Sequence, residues 1–358
     1  MKKMFLIALM VVLANGLLFN GFPKLASSAP IKLLFASFTS DKSFMSDGIK
    51  AFAKDLEERS QGRVKAEFSW SCALGKIPEY YDLTARGVCD VGFANPVQCA
   101  KDLFPMEEIS TLPFKFPSSV IHTKALWELY KKGYLDKTMD DSKVKTLFLA
   151  GSTGSGFLTY KKPVRTLADT KGLKLHCIPG QEVTVAEAMG AVPVDMAGAE
   201  VYMALQTGTI DGHRKGYSPL PNFKWCEVTK YVTEPPLSSV FFAVFINRNT
   251  YNKLPKDIQA IIDEMAQDTK YGLISAKQMD DLAEAGRQCL LKHGVQFLEW
   301  EPAALDELGK RLSPVWNKWV ADREAKGLPA RKALDLFYTL QEGMGIKAPA
   351  IGYEPVGR

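Results

Sequence analysis

The stretch Lys171–Tyr217 constrains the fold more than any other part of this 358-residue chain. A short apolar run, Leu173–Ile178, is followed by Pro179-Gly180. A helical pattern carrying Val185, Ala188 and Met189 then runs to Gly190, and a second strand-like run covers Ala191–Met196. A second helical pattern, Glu200 to Thr207, stops at Gly208, and the turn Ile210–Gly212 opens onto His213, Arg214 and Lys215. Strand and helix signals that alternate in this way describe a parallel α/β sheet. Polar residues just beyond the strand ends of such a sheet line the ligand crevice.

The same alternation begins earlier. Ile31 to Ser37 reads as a strand, and Met45, Ile49, Phe52 and Leu56 recur at helical spacing up to Gly62. Val64, Ala66, Phe68 and Trp70 alternate, Gly75 to Ala85 reads as a helix ended by Gly87, and Cys89 to Ala94 is another short strand. Thr146 to Ala150 is a strand followed by Gly151-Ser152-Thr153-Gly154-Ser155-Gly156. That spacing is neither a dinucleotide fingerprint nor a P-loop, and no helix start follows, so the loop reads as a crossover between domains. Pro255 to His293 is a long helical pattern that would reach roughly 55 Å if unbroken, with Gly272 and Gly286 as places where it bends or divides. A last strand (Val295–Trp300), helical stretches over Pro302–Gly327 and Ala330–Gly343, and an irregular Pro/Gly-rich tail from Ile346 complete the chain.

Residues 1–29 have a basic end (Lys2, Lys3), an apolar core (Met4 to Leu18) and small residues Ala26, Ser27, Ser28 and Ala29, the parts of a secretory signal cleaved near 26–29. Roughly 330 residues then remain, which points to two domains, and 46% hydrophobic residues supply two cores. The formal charge of +5 includes Lys2, Lys3 and Lys24 but no acid from the leader, so the exported chain carries +2. That balance argues against a nucleic-acid partner. None of Cys72, Cys89, Cys99, Cys177, Cys226 and Cys289 forms a C-x-x-C pair, so no metal site is expected. Export permits disulfides, but the pairing stays open, and Cys89 and Cys289 lie in apolar runs that suit buried thiols. No catalytic motif is recognisable among the four histidines His122, His176, His213 and His293, and no cofactor is implied.

The motifs "LG" at Leu74-Gly75, "G-x-x-D-V-G" at Gly87–Gly92, "LPFKFPS" at Leu112–Ser118, and "GA-x-P-V" followed by "E-V-Y-x-A-L-Q-x-G-x-I-D-G" up to Gly212 occur in that order. Together they resemble the TRAP-type (tripartite ATP-independent periplasmic) solute-binding proteins, over about residues 31 to 320. The resemblance implies an α/β, two-lobe, periplasmic-binding-protein-like fold with a cleft between the lobes and a long bracing helix. The β-α units on each side of the Gly151–Gly156 crossover assign 30–151 to lobe I (with part of 238–280) and 152–237 to lobe II (with part of 281–345), and the Pro/Gly-rich composition assigns 346–358 to an irregular tail. The resemblance also implies periplasmic capture of a small organic solute, usually a carboxylate, and delivery to the integral membrane permease subunits of a TRAP-type transporter. Two alternatives stand beside it: a neutral or cationic solute such as an amino alcohol or polyol, and an extracellular enzyme or sensor module on the same fold.

The family arginine that grips carboxylates is replaced here by His176, and a second arginine found in some members falls near Gly156. The family run "D-G-Q-E-N-P", whose asparagine touches ligand, reads Asp211-Gly212-His213-Arg214-Lys215-Gly216, so cations replace the acid and the amide. We therefore expect Arg214, helped by Lys215 and His176, to bind the anion. If His176 shares that load, affinity should weaken as pH rises through about 6.5. Candidates from first-lobe strand ends are Ser40 and Asn95 as hydrogen-bonders and Phe38 and Trp70 as packing surfaces, with Trp70 equally readable as core. Tyr217 is a further candidate, Trp225 reads as packing, and Asp211 as ordering its own turn.

Overall fold

The computed structural model of the protein describes residues 29–100, 103–135, 143–177 and 181–356. The expected leader lies outside them except for Ala29, as do Ile178 to Gly180. Eleven strands are found among the described residues: β1 (Ile31–Ala36), β2 (Val64–Ser69), β3 (Val91–Ala94), β4 (Val144–Gly151), β5 (Ser155–Thr159), β6 (Lys174–His176), β7 (Val192–Val194), β8 (Gly212–Lys215), β9 (Tyr231–Leu237), β10 (Phe241–Asn247) and β11 (Gln296–Glu299). They form two sheets, ordered β2-β1-β3-β10-β4 and β11-β9-β5-β8-β6-β7.

Neither sheet is purely parallel. β10 runs antiparallel to both β3 and β4, and β5 antiparallel to both β8 and β9. The reason is topological. β5 and β10 directly follow the two crossovers, so each enters its sheet from the cleft side and must run against its neighbours. The remaining strands of both sheets end at the cleft. β10, with the sequence FFAVFIN, is buried along its whole length, as the continuous apolar run of a central strand requires. Neither β5, β9 nor β10 stands out in the alternation read from the sequence, because all three are defined by their long-range partners.

The helices that position the site are α1 (Ser46–Arg59), α2 (Ser119–Lys131), α3 (Gln181–Ala188), α4 (Trp225–Val228), α5 (Lys256–Ala266), α6 (Lys270–Lys292), α7 (Pro302–Glu324) and α8 (Ala330–Gly343). The helical pattern from Pro255 is thus two helices rather than one. It breaks at Gln267–Thr269, where the Asp268 carboxylate accepts from Lys270 N at 3.0 Å and starts the second helix. Gly272 and Gly286 do not divide α6; they are where it touches each lobe. A Cβ on Gly272 would stand 2.2 Å from the Leu149 carbonyl oxygen of β4, and one on Gly286 only 2.0 Å from that of Tyr217, just past β8. A helix of 23 residues therefore braces both sheets through two glycine contacts.

Those contacts set the sign of a substitution. Alanine in mid-helix is ordinarily favoured over glycine by up to about 1 kcal/mol. At Gly286 the obstacle is backbone and cannot rotate aside, so overpacking costing about 1–3 kcal/mol should win. We expect Gly286→Ala to lower the thermal midpoint. Gly343→Ala, whose Cβ meets nothing within 4 Å, should hold or raise it. A Gly286→Ala midpoint at or above wild type would contradict the packing described.

α7 and α8 close the far side. Trp316 of α7 is buried and donates from Nε1 to the Ile351 carbonyl at 2.9 Å, so the irregular tail is packed in place. Phe114, which T-stacks on Trp316 and Phe337, carries the same core under the first lobe.

Candidate functional site

Two crossovers join the lobes side by side, Ser152–Gly154 leaving β4 and Ser238–Val240 leaving β9. They are laced together by Ser152 N to Val240 O at 3.0 Å and Ser155 N to Ser238 O at 2.9 Å. The Ser239 hydroxyl lies 2.9 Å from the carbonyls of both Ser152 and Thr153. His122, from α2, supports the same crossover. Its Nδ1 is 2.8 Å from the Ser152 carbonyl and its Nε2 is 2.9 Å from Ser110 Oγ. Burial pushes its pKa down to about 3, so the ring is neutral. A carbonyl accepts only, which places the proton on Nδ1 and leaves Nε2 to accept from Ser110.

Above this floor lies a pocket of about 200 Å³ between the two sheets. Ser155, Glu182, Lys215 and Ser218 form its second-lobe wall, Phe44, Val240 and Phe242 its first-lobe wall, and Met279 of α6 reaches it from beneath. Lys215 is the last residue of β8 and pairs with Gly156 of β5. Burial pulls its ammonium below the usual lysine value, opposed chiefly by the nearby Glu182 carboxylate and also by Asp195. The Ser155 hydroxyl donates to the Glu182 carboxylate. A single cation with two of its walls already polar can take an anionic group without any further charge being brought in.

A larger cavity of about 600 Å³ lies beside the crossovers against α6. Three of its polar groups are paired with one another: Tyr217 donates to Glu234 Oε1 at 2.9 Å, and Arg287 reaches the same oxygen at 3.0 Å. The smaller pocket is the one at the strand ends of both sheets, where open α/β sheets bind ligands. Its position decides which cavity is the candidate site.

A family model described as bacterial extracellular solute-binding protein, family 7, matches residues 35–322. The chain belongs to that family. It is 26% identical over 312 residues, 86% of this chain and 92% of the relative, to the C4-dicarboxylate-binding periplasmic protein DctP of Rhodobacter capsulatus. Among solved structures it is similar to a TRAP periplasmic solute-binding protein from Desulfovibrio salexigens. The TM-score is 0.80 and identity 26%, over 89% of this chain and 98% of that one. It is also similar to a TRAP solute-binding protein from Rhodoferax ferrireducens in complex with copurified benzoate. Here the TM-score is 0.74 and identity 27%, over 87% and 98% of the two chains. The two-lobe fold and the solute-binding role expected from the sequence are those of this family.

Within this family 7 protein the residues expected at the site are scattered. Lys215 lines the cleft pocket. Arg214 does not: it is 1% exposed, donating from Nη1 to the Glu182 carbonyl at 3.1 Å and from Nη2 to the Leu237 carbonyl at 2.8 Å. Neighbours on a strand point to opposite faces, so Arg214 and Lys215 cannot serve one ligand together. His176 is buried at the end of β6, level with His213 on β8. Desolvation lowers its pKa to about 4, with Lys215 adding to the effect. It is therefore neutral at pH 6.5, and a pH dependence through that value is not expected of it.

Tyr217 faces the larger cavity rather than the cleft. Asn95 is buried and caps the helix after β3, accepting from Gln98 N at 3.2 Å. Ser40 is exposed, its carbonyl accepting from Ser43 N at 3.2 Å. Phe38 stacks on Phe93 behind the pocket wall, with centroids 4.6 Å apart. Trp70 stacks on Phe68 at 5.4 Å, away from the pocket. Asp211 orders its surroundings, accepting from Lys174 N at 2.9 Å, and Trp225 packs against Phe223 and His213. Phe44, Ser155, Glu182, Ser239 and Phe242 were not among the sequence candidates. Glu182 carried one available signal, an acid in the first turn of the helix that follows a cleft-facing strand.

Proposed function

We propose that this protein captures a small organic carboxylate between its lobes and delivers it, unchanged, to the integral membrane subunits of a TRAP-type permease. The observation that carries the reading is Lys215 at the end of β8, a lysine in a cleft pocket. The carboxylate of the solute sits at its ammonium, with the Ser155 and Ser218 hydroxyls as neighbouring hydrogen-bonders. Benzoate held by the Rhodoferax relative and the dicarboxylate named for the Rhodobacter relative support an acid as the ligand class. Lobe I comprises 30–151 with part of 238–280, and lobe II comprises 152–237 with part of 281–345. The crossovers at Ser152–Gly154 and Ser238–Val240 act as the hinge about which they close. The leader over 1–29 is removed near residues 26–29 and the protein works in the periplasm.

A thermal-shift screen of small acids, amino alcohols and polyols tests this. A ligand at about 100 times its dissociation constant should stabilise by about 2.7 kcal/mol. Recovery of an uncharged or cationic compound as the best ligand would overturn the reading, as would steady product formation seen by mass spectrometry.

The pH dependence follows from Lys215. Its folded pKa lies below the usual lysine value, and a bound anion raises it, so binding is proton-linked between the free and bound values. Affinity should be flat on the acid side of the free pKa and fall by up to about tenfold per pH unit above it. Of the facing groups, burial holds His176 down at about 4 and the Cys177 thiol up at about 11, which leaves the limb between them to Lys215. Calorimetry from pH 6 to 10 would show this limb, and a Lys215→Met variant should lack it.

A further inference from the structure

The two walls of the cleft pocket differ in chemistry. On the first-lobe side Phe44 and Phe242 face it, with ring centroids 5.1 Å apart. Phe242 is backed by Phe93 at 5.3 Å, so the aromatic wall is anchored in the lobe core. The opposite wall presents Lys215 and Glu182. Hydroxyl groups pressed on the phenylalanine side would lose water without gaining a partner, which disfavours sugar acids. A flat ring gains an edge-to-face or offset contact there.

Size and charge narrow the class further. An apolar cavity of about 150 Å³ is known to take benzene, and this pocket measures about 200 Å³. That leaves room for one six-membered ring and a small acid group. Among the described residues the pocket sets one cation, Lys215, against one carboxylate, Glu182, and the Ser155 hydroxyl holds Glu182 in place. A second carboxylate on the ligand would approach Glu182, and like charges at close range are unfavourable. We infer that the solute is a single-acid compound on a planar six-membered ring, with the ring against Phe44 and Phe242 and the acid at Lys215. This rests on the acid-capture reading above and adds the ring and the single charge.

Calorimetry with benzoate, succinate, glucuronate and benzyl alcohol tests it on the wild type, Phe44→Leu, Phe44→Tyr, Glu182→Gln and Lys215→Met. Benzoate should bind at least about tenfold tighter than succinate or glucuronate. Phe44→Leu should weaken benzoate about three- to tenfold while Phe44→Tyr retains it, since the ring contact is what changes. Glu182→Gln should improve succinate relative to benzoate. The ring is overturned if benzoate does not bind, if succinate or glucuronate matches it, or if Phe44→Leu leaves its affinity unchanged. Succinate binding best and being lost in Lys215→Met would keep acid capture and discard the ring. Benzyl alcohol binding as tightly as benzoate, with Lys215→Met unaffected, would overturn both.

Discussion

Removing the bond between Cys226 and Cys289 should lower the stability of the second lobe by about 4 kcal/mol. The two cysteines are 63 residues apart in sequence, and their Sγ atoms are joined in the structure. In the chain-entropy model a closed loop of this length restrains the unfolded chain by about that amount. The bridge joins α4 to the last turns of α6, three residues beyond Gly286. The same end of the bracing helix is therefore fixed to the second lobe twice, once covalently and once by close backbone packing. Around it lies a small core of Leu158, Val201, Leu205, Ile210, Leu220, Trp225 and Val232. A Cys226→Ala/Cys289→Ala double variant should lose on the order of 10 °C in thermal midpoint. Hydrogen exchange should accelerate in α4, β9 and the end of α6 and leave β1 to β4 unchanged. A midpoint within about 2 °C of wild type would mean that packing alone holds that end of the helix.

The bridge also marks where sequence reasoning reached its limit. Cys289 sits in an apolar run beside Leu290 and Leu291, which favoured a buried thiol over a bridge, yet the structure joins it to Cys226. Only the approach of α4 separates the two cases, and that is a tertiary fact. Cys89 does keep its thiol, buried and 3.5 Å from Thr84 Oγ1. The β-α alternation through the first hundred residues and from Lys171 to Tyr217 was legible because each element carries its own period and its own glycine stop. Of the glycine-rich run Gly151–Gly156, only 152–154 lie between strands, since Gly151 ends β4 and Ser155 and Gly156 open β5. The aromatic wall was not, because Phe44 and Phe242 come from opposite ends of the first lobe's chain path and meet only when β10 inserts beside β3. The break at Asp268-Thr269 could have been read, since an aspartate two residues before the second helix is a start signal.

The pair Arg214 and Lys215 gives the sharpest contrast, because one substitution should act on the fold and its neighbour on the ligand. Arg214 is almost fully buried and holds two carbonyls, one at the start of α3 and one at the end of β9. Arg214→Met leaves both acceptors without their donor, at about 1–3 kcal/mol each for a buried polar group, so the thermal midpoint should fall steeply. Lys215→Met removes an ammonium that burial already disfavours, so stability should hold or rise slightly. Binding should reverse the order. Loss of the charge-assisted contact at Lys215 should cost about 1.5–3 kcal/mol, a ten- to hundredfold rise in Kd for an acid. Arg214→Met protein that remains folded at low temperature should bind with a smaller loss, arising from displacement of Glu182. Placing Arg214 from its sequence position alone gave the opposite expectation. The residue aligned with the ligand-touching amide of the family run is in fact Lys215, and strand alternation turns its neighbour inward. Measuring midpoints and dissociation constants on both variants decides the matter: a stable Arg214→Met protein that no longer binds acids, beside a Lys215→Met protein that still does, would return the anion site to Arg214.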